Sequence, residues 1–406
     1  MNCVSQHSKS QQLEGVLVAH PLLQHSHQLA SALHERNLLY AFWSGTPLLG
    51  PREKVPYWLP RVLEQRIKHT DIPRILRRHP AWTHLAMRIA RLLPNGSADD
   101  NTHRIFHAFD YWVSRQLSHS MPSMVVAYEN SAYHTFKEAH RLGIRCVLDA
   151  PSLHHRTSDL LINTPQTSFR KEINRRKSIE IELAEKILTC SSFAADSYIE
   201  NGVSSAKLHP ILLGAEIDNG AIKYESATIN KKPVFVFAGG LGYRKSTDLI
   251  LDVFERLQKE GHHFELLLVG SCNDHQLLNR VKRLHGAEHR PNQPQKELFN
   301  IFTKADCLLL PSRFDSFGMV VAEAMACGVP AIVSERTGAK EIITKFPKSG
   351  WTVKPTNESI YEATLKIIQC PSLLQEAKAA ALEASKAFTW GAYRARVGDF
   401  FSSIQS

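Results

Sequence analysis

Several familiar signatures are missing from this chain. No stretch approaches about eighteen consecutive apolar residues, so no membrane-spanning helix is expected. The N-terminus, MNCVSQHSKSQQLEG, has no apolar core of the kind a secretory signal needs. The seven cysteines include no C-x-x-C pair and follow no framework spacing, which points to reduced, buried thiols in a cytosolic protein. No D-x-D triplet of metal-ligand type occurs, and no metal or other cofactor is expected. A nicotinamide dehydrogenase would need G-x-G-x-x-G after a strand and an acidic residue about twenty positions later, and GGLGYR does not satisfy this. The expected location is the cytoplasm, peripheral at most to the inner face of a membrane.

What is present is an ordinary enzyme-like composition with one local anomaly. The chain has 406 residues, 43% hydrophobic and 22% charged, enough for two domains with separate cores. Its net charge is +10, which invites an anionic partner. Residues 51–92 hold ten of the basic residues against Glu53, Glu64 and Asp71, so seven of the ten excess charges lie in this one insertion. A nucleic-acid partner is not expected, because the charge is confined there and no aromatic–basic interleaving accompanies it. Leu85, Ile89 and Leu92/Leu93 recur at helical spacing with Arg88 and Arg91 between them, predicting amphipathic helices. Their basic side would recruit an anionic acceptor or an anionic membrane surface; it also reads as a solvated face over ordinary core leucines. Pro51, Pro56, Pro60, Pro73 and Pro80 break the segment into short pieces.

Elsewhere short apolar runs alternate with amphipathic stretches of helical length. Strands are predicted at Val16–Ala19, Leu39–Trp43, Met124–Tyr128, Arg145–Asp149, Lys186–Cys190 and Lys207–Leu212. Residues 214–233 are polar and aperiodic, and the pattern restarts at Val234–Ala238, followed by strands at Phe264–Val269, Cys307–Pro311 and Ala331–Ser334. The expected fold class is α/β: two doubly wound, Rossmann-like domains facing across a cleft, residues 1–220 and 221–388, with residues 389–406 as a helix crossing back to the first. Ligands of such sheets sit beyond the carboxyl ends of the strands.

Two segments carry recognisable chemistry. In Pro311–Pro330, PSRFDSFGMVVAEAMACGVP, a strand gives way to a loop with Asp315 and then to a helix opening near Gly318. The free amides of a first helical turn face any anion above them. Glu323 follows inside that helix, so two carboxylates suit two hydroxyl-bearing parts of one extended ligand. Asp315 as a simple cap and Glu323 as a solvated helix residue is the alternative. In Phe237–Asp248, FAGGLGYRKSTD, a glycine-rich turn leads to Arg244 and Lys245 before a helix, a geometry suited to a diphosphate.

Together the two segments resemble the retaining GT-B glycosyltransferases of family 4, the group 1 type. That family carries a pattern like E-G-F-G-x-x-x-x-E-A-M-A-x-G-x-P; this chain has Asp315-Ser316-Phe317-Gly318, Glu323-Ala324-Met325-Ala326, Gly328 and Pro330. Lys245-Ser246 is similar to its Lys-Gly, Val269-Gly270 to its V-G, Thr337-Gly338 with Glu341 to its G-G-x-x-E, and Gly350–Pro355 to its G-x-x-V-x-P. The likeness is strong over about residues 233–356, weaker from Glu180 to Asp218, and only in outline over 14–150. The departures are Asp315 for glutamate, Ser316 for glycine, and Gly240 where an arginine is common, with Arg244 as its substitute.

The resemblance implies a hexosyltransferase that takes its sugar from a nucleoside-diphosphate donor and passes it to a saccharide, lipid or small-molecule acceptor. Glu323 would hold the ribose and Asp315 the sugar hydroxyls. The amides of Phe317, Gly318 and Met319 would face sugar and diphosphate, and Lys245 with Arg244 would neutralise the leaving diphosphate. The family also places a histidine near the reacting sugar; Asp149, His154 and His155 are the candidates here, while His20, Gln24 and His25 replace its usual glycines without an assigned role. A catalytically inactive nucleotide-sugar-binding module is the alternative.

Overall fold

The computed structural model describes residues 13–50, 53, 68–90, 98–216 and 232–405. Uninterrupted apolar runs rich in Val, Leu and Phe form strands buried on both faces, as parallel sheets require. The first sheet takes β1 (Leu13–His20), β2 (Leu39–Ser44), β5 (Arg77–Arg78), β6 (Pro122–Tyr128), β7 (Arg145–Asp149), β8 (Lys186–Thr189) and β9 (Leu208–Pro210). Their order is β5-β2-β1-β6-β7-β8-β9, with every pair parallel. A small ribbon of β3 (Leu48–Leu49) and β4 (Lys68–His69) lies outside it. The second sheet runs β12-β11-β10-β13-β14-β15, also parallel throughout. Its strands are β10 (Val234–Ala238), β11 (Glu265–Val269), β12 (Ala287–Arg290), β13 (Cys307–Leu310), β14 (Ala331–Ser334) and β15 (Gly350–Val353).

The order of each sheet reverses once, between β1 and β6 and between β10 and β13. Loops diverge at such switch points and leave a crevice above the strand ends. The loops after β10 and β13 are the two segments singled out from sequence. The division expected at residues 220 and 221 falls within 217–231, outside the described residues.

Three ties join the domains. Gly214 and Ala215 run against 388–390, where Ala215 N donates to Phe388 O at 2.7 Å. The helix Trp390–Gln405 lies on the helix Ser26–Glu35 of the first domain. Arg394 meets Glu35 at 2.7 Å, Arg36 meets Asp399 at 2.6 Å, and the rings of Phe400 and His209 lie 4.6 Å apart, tilted by 48°. At the cleft mouth Ser191 Oγ donates to Ser316 O at 2.5 Å, and the amide of Ser192 donates to Glu341 at 2.7 Å. Burial raises the Glu341 pKa while these amides and the Ser192 hydroxyl oppose the shift.

Within the basic insertion the described pieces are short: β4, one turn at Arg74–Leu76, β5 and the helix Ala81–Ala90. That helix buries Thr83 and Met87 and turns Trp82 (39%), Leu85 (59%) and Ile89 (48%) to solvent. Leu85 and Ile89 are therefore surface residues, which removes the reading of them as core leucines. Arg91 and Leu92/Leu93 lie outside the described residues.

Candidate active site

The loop after β13 is shaped by one glycine. Gly318 sits at φ 84°, which strains any other residue, and a Cβ there would lie 2.6 Å from Leu310 Cδ2, so that side chain would also have to move. Gly318 caps the helix Met319–Ala326, whose first amides open toward the cleft. The loop is held from behind: Asp315 N donates to Arg336 O and Gly338 N to Asp315 O, both at 3.0 Å.

The loop after β10 approaches from the side. Tyr243–Lys245 make one tight turn, Ser246 takes φ 56°, and the helix Thr247–Lys259 begins. Arg313 fastens this turn to the other loop, meeting Asp248 at 2.6 and 2.7 Å and Tyr243 O at 2.6 Å. The result places Lys245 Nζ against Asp315 Oδ2, with Arg244 3.8 Å from the same oxygen. The other Asp315 oxygen accepts from the Phe317 amide at 3.3 Å. Lys245 and Asp315 are mostly buried, whereas Arg244 is 46% exposed. Two cations against one carboxylate leave a net positive charge beside a helix N-terminus, a natural seat for a diphosphate.

A cavity of about 410 Å³ opens between the domains at this point. Arg244, Lys245 and residues 315–320 form one wall; Gln24, Tyr128, Pro151, Ser152, Cys190 and Leu213 form the other. A second groove of about 700 Å³ on the C-terminal domain shares Arg244 and Lys245 and runs past Gly240 to Ser271 and Gln276. A Cβ on Gly240 would meet only Ser271 Oγ, at 3.6 Å, so this position has room for a side chain. Glu323 lies further along its helix, half-buried, with Gln295 Nε2 at 3.4 Å.

The structure thus brings together Arg244, Lys245, Asp315, Phe317, Gly318 and Met319, with Gly240 and Glu323 on the same domain. It does not bring His154 and His155 to them. His154 caps the helix His155–Leu161, its Nδ1 accepting from Arg156 N at 3.3 Å, and His155 Nε2 pairs with Ser178 Oγ at 3.2 Å. Neither lines the cleft. Burial, reinforced by nearby Arg156 and Lys177, pushes His154 down to about 4; burial and the adjacent His154 push His155 down to about 3. Burial thus favours the neutral form of both rings near pH 7. Asp149 is also buried, with His25 Nε2 at 3.0 Å.

Of the far wall, the sequence singles out Gln24 alone, and without a role. Gln24 stands at φ 34°, in the left-handed region a non-glycine residue rarely adopts, and its side chain hydrogen-bonds Tyr128. Burial and the charges of Glu129 and Asp149 hold the Tyr128 phenol protonated, and burial with the Asp315 charge does the same for the Cys190 thiol. The only available signal was position: each residue ends a strand of the first sheet or follows its carboxyl end.

Two facing, parallel-sheet domains with a cation-lined cleft define a class, and comparison gives it a name. The chain is similar in structure to HepE of Anabaena in complex with UDP, with a TM-score of 0.65 and 14% identity, over 96% of this chain and 100% of that one. The fold is GT-B. Residues 219–384 match the family "Glycosyl transferases group 1", so the C-terminal half is a glycosyltransferase group 1 domain. In sequence the chain is similar to the D-inositol 3-phosphate glycosyltransferase of Segniliparus rotundus, 26% identical over 184 residues, 43% of this chain and 41% of the relative. It is also similar to the amylovoran biosynthesis glycosyltransferase AmsD of Erwinia amylovora, 23% identical over 203 residues, 49% of this chain and 56% of the relative. The chain spans about half the length of these curated relatives.

Proposed function

We propose that this chain is a glycosyltransferase of the family 4 type, moving a hexose-type sugar from a nucleoside-diphosphate donor to an acceptor with retention of configuration. The observation that carries this reading is the convergence of Lys245, Arg244 and the N-terminus of Met319–Ala326 on one wall of the interdomain cavity. Breaking a glycosyl–phosphate bond builds negative charge on the departing diphosphate, and fixed donors placed there stabilise the transition state most. Lys245 and Arg244 take that role, the amides after Phe317 support it, Asp315 orients Lys245 and meets the sugar hydroxyls, and Glu323 holds the ribose. The opposite wall offers Gln24, Tyr128, Ser152 and Cys190, all neutral, and no carboxylate or histidine. The one carboxylate among the lining residues, Asp315, is already paired with Lys245 and Arg244, so an oxygen of the leaving diphosphate is left to take the proton of an incoming hydroxyl. That supports reaction on the face the donor leaves from, hence retention.

HepE has been solved with UDP and with UDP-glucose, so uridine donors are the first to test. We also place the protein in the cytoplasm, where no disulfide joining the described cysteines is needed. Its exposed Trp82–Leu85–Ile89 face would rest on the anionic inner face of a membrane. The functional test incubates the full chain with UDP- and GDP-sugars and follows sugar release and transfer to a saccharide and lipid panel. Slow hydrolysis of one donor, accelerated by an acceptor, is expected. Binding without turnover would leave an inactive nucleotide-sugar module, and no binding would refute the reading.

A further inference from the structure

The loop between β1 and the helix Ser26–Glu35 is fastened on both sides of one residue. His20 Nδ1 accepts from Leu22 N at 2.9 Å, and Ser44 Oγ donates to Leu22 O at 2.9 Å. Ser26 Oγ donates to Leu23 O at 2.6 Å, and His25 Nε2 meets Asp149 Oδ1 at 3.0 Å with both side chains buried. Leu23, His25 and Ser26 are buried, whereas Gln24 between them is exposed on the wall of the interdomain cavity. Its φ of 34° is one that glycine adopts freely and a residue with a side chain rarely does. Such strain persists only where the surroundings over-determine it, and it gathers at positions whose side chain is used.

The Gln24 side chain hydrogen-bonds the Tyr128 hydroxyl. Tyr128 is itself wedged between the His20 ring at 4.1 Å and the Phe106 ring at 6.1 Å. A carboxamide brings two donors and an acceptor oxygen, and a phenol brings one donor and one acceptor. Whichever way the bond between them runs, the pair keeps at least one donor and one acceptor for a third group. An alcohol hydroxyl uses both; a carboxylate or phosphate only accepts, and leaves the acceptor of the pair unused. Asp315, Lys245 and Arg244 stand on the other wall of the same cavity.

We propose that Gln24, backed by Tyr128, reads a hydroxyl of the transferred sugar and so sets which sugar the chain accepts. This rests on the glycosyltransferase reading above, in which Asp315 meets the sugar from the opposite wall. A site built around a hydroxyl rejects the epimer that lacks it there, because the carboxamide is then left without its partner. Glycines are usual in this loop of the family the chain resembles, so the discrimination belongs to this chain.

The test measures binding of UDP-glucose, UDP-galactose and UDP-N-acetylglucosamine against UDP, and of GDP-mannose against GDP, to the full chain and to Gln24→Gly. The wild type is expected to favour one nucleotide sugar over its own diphosphate. Gln24→Gly is expected to lose about three- to tenfold of that preference, as for one neutral hydrogen bond, with the affinity for the diphosphate unchanged. Its melting temperature is expected to stay level or rise, since glycine relaxes the backbone there. Tyr128→Phe, which removes only the partner's hydroxyl, is expected to reduce the same preference, and the double variant to lose less than the two single losses multiplied. Equal losses for sugar and diphosphate, an unchanged preference, or no preference in the wild type overturns the assignment. A lowered melting temperature in Gln24→Gly overturns it as well, since the side chain would then be structural. Failure of both diphosphates to bind the wild type refutes the donor site itself, and the assignment falls with it.

Discussion

Lys245 and Asp315 are close because their strands are neighbours, not because they are near in sequence. Residues 245 and 315 meet where β10 and β13 lie side by side, and the Asp315 carboxylate holds the ammonium at the cleft wall. Both groups were legible as chemistry, since a lysine before a helix and a loop carboxylate before a glycine-capped helix each have a physical use. The histidines were not. The family resemblance made His154 and His155 candidates, but whether a side chain faces the cleft or the layer behind it depends on where β7 hands over to the helix His155–Leu161. Their burial has a measurable consequence. His20, His154 and His155 are buried and pushed from 6.5 to about 3, about 4 and about 3. With folded values depressed, their contribution to stability is complete above pH 6.5 and is lost as the pH falls toward 4, where the unfolded chain takes up protons the folded one refuses. Each contributes up to about 1.4 kcal/mol per pH unit in that window. Urea unfolding between pH 7 and pH 4 is expected to show a midpoint that drops steadily below pH 6.5; a flat midpoint would count against this account.

At the scale of elements, the strands were the legible part, because buried parallel strands are unbroken apolar runs. The helices Ala98–Ser120 and Ser168–Leu183 had no such signal, and the reason is a buried polar network. Arg176 meets Asp110 at 3.0 Å, and Glu180, fully buried, accepts from Asn130 N, Ala132 N and Tyr133 N. Charged residues thus occupy inward positions and erase the apolar period that marks a helix. The helix Ala81–Ala90 has the opposite character. Trp82, Leu85 and Ile89 share one exposed face, and the surrounding insertion carries most of the chain's excess positive charge. An interfacial helix combines these two features. In co-sedimentation with phosphatidylglycerol vesicles at low salt the chain is expected in the pellet, returning to the supernatant with phosphatidylcholine or on replacing Trp82 and Leu85 by serine. Equal behaviour of wild type and variant with anionic vesicles would remove the helix from the membrane.

For the molecule as a whole, the cleft is a consequence of how two independent sheets are tied. The chain crosses at 214–215 and returns at 388–390, while Ser191 and Ser192 grip Ser316 and Glu341 across the mouth. The loop that carries Asp315 and Ser316 is therefore also an interdomain contact. Sequence motifs were legible in the half proposed to hold the donor because diphosphate binding needs charge, glycine and a helix start in fixed order. The opposite wall has no such order, since its cleft residues come from five strand ends and are neutral. The central claim is that Lys245 grips a nucleoside diphosphate at this junction. Calorimetric titration of the full chain with UDP tests it most directly, in the wild type and in Lys245→Ala. Saturable binding that weakens on the order of tenfold to a hundredfold in the folded variant is expected for loss of one charge-assisted phosphate contact. Equal affinity in the two proteins would contradict the claim.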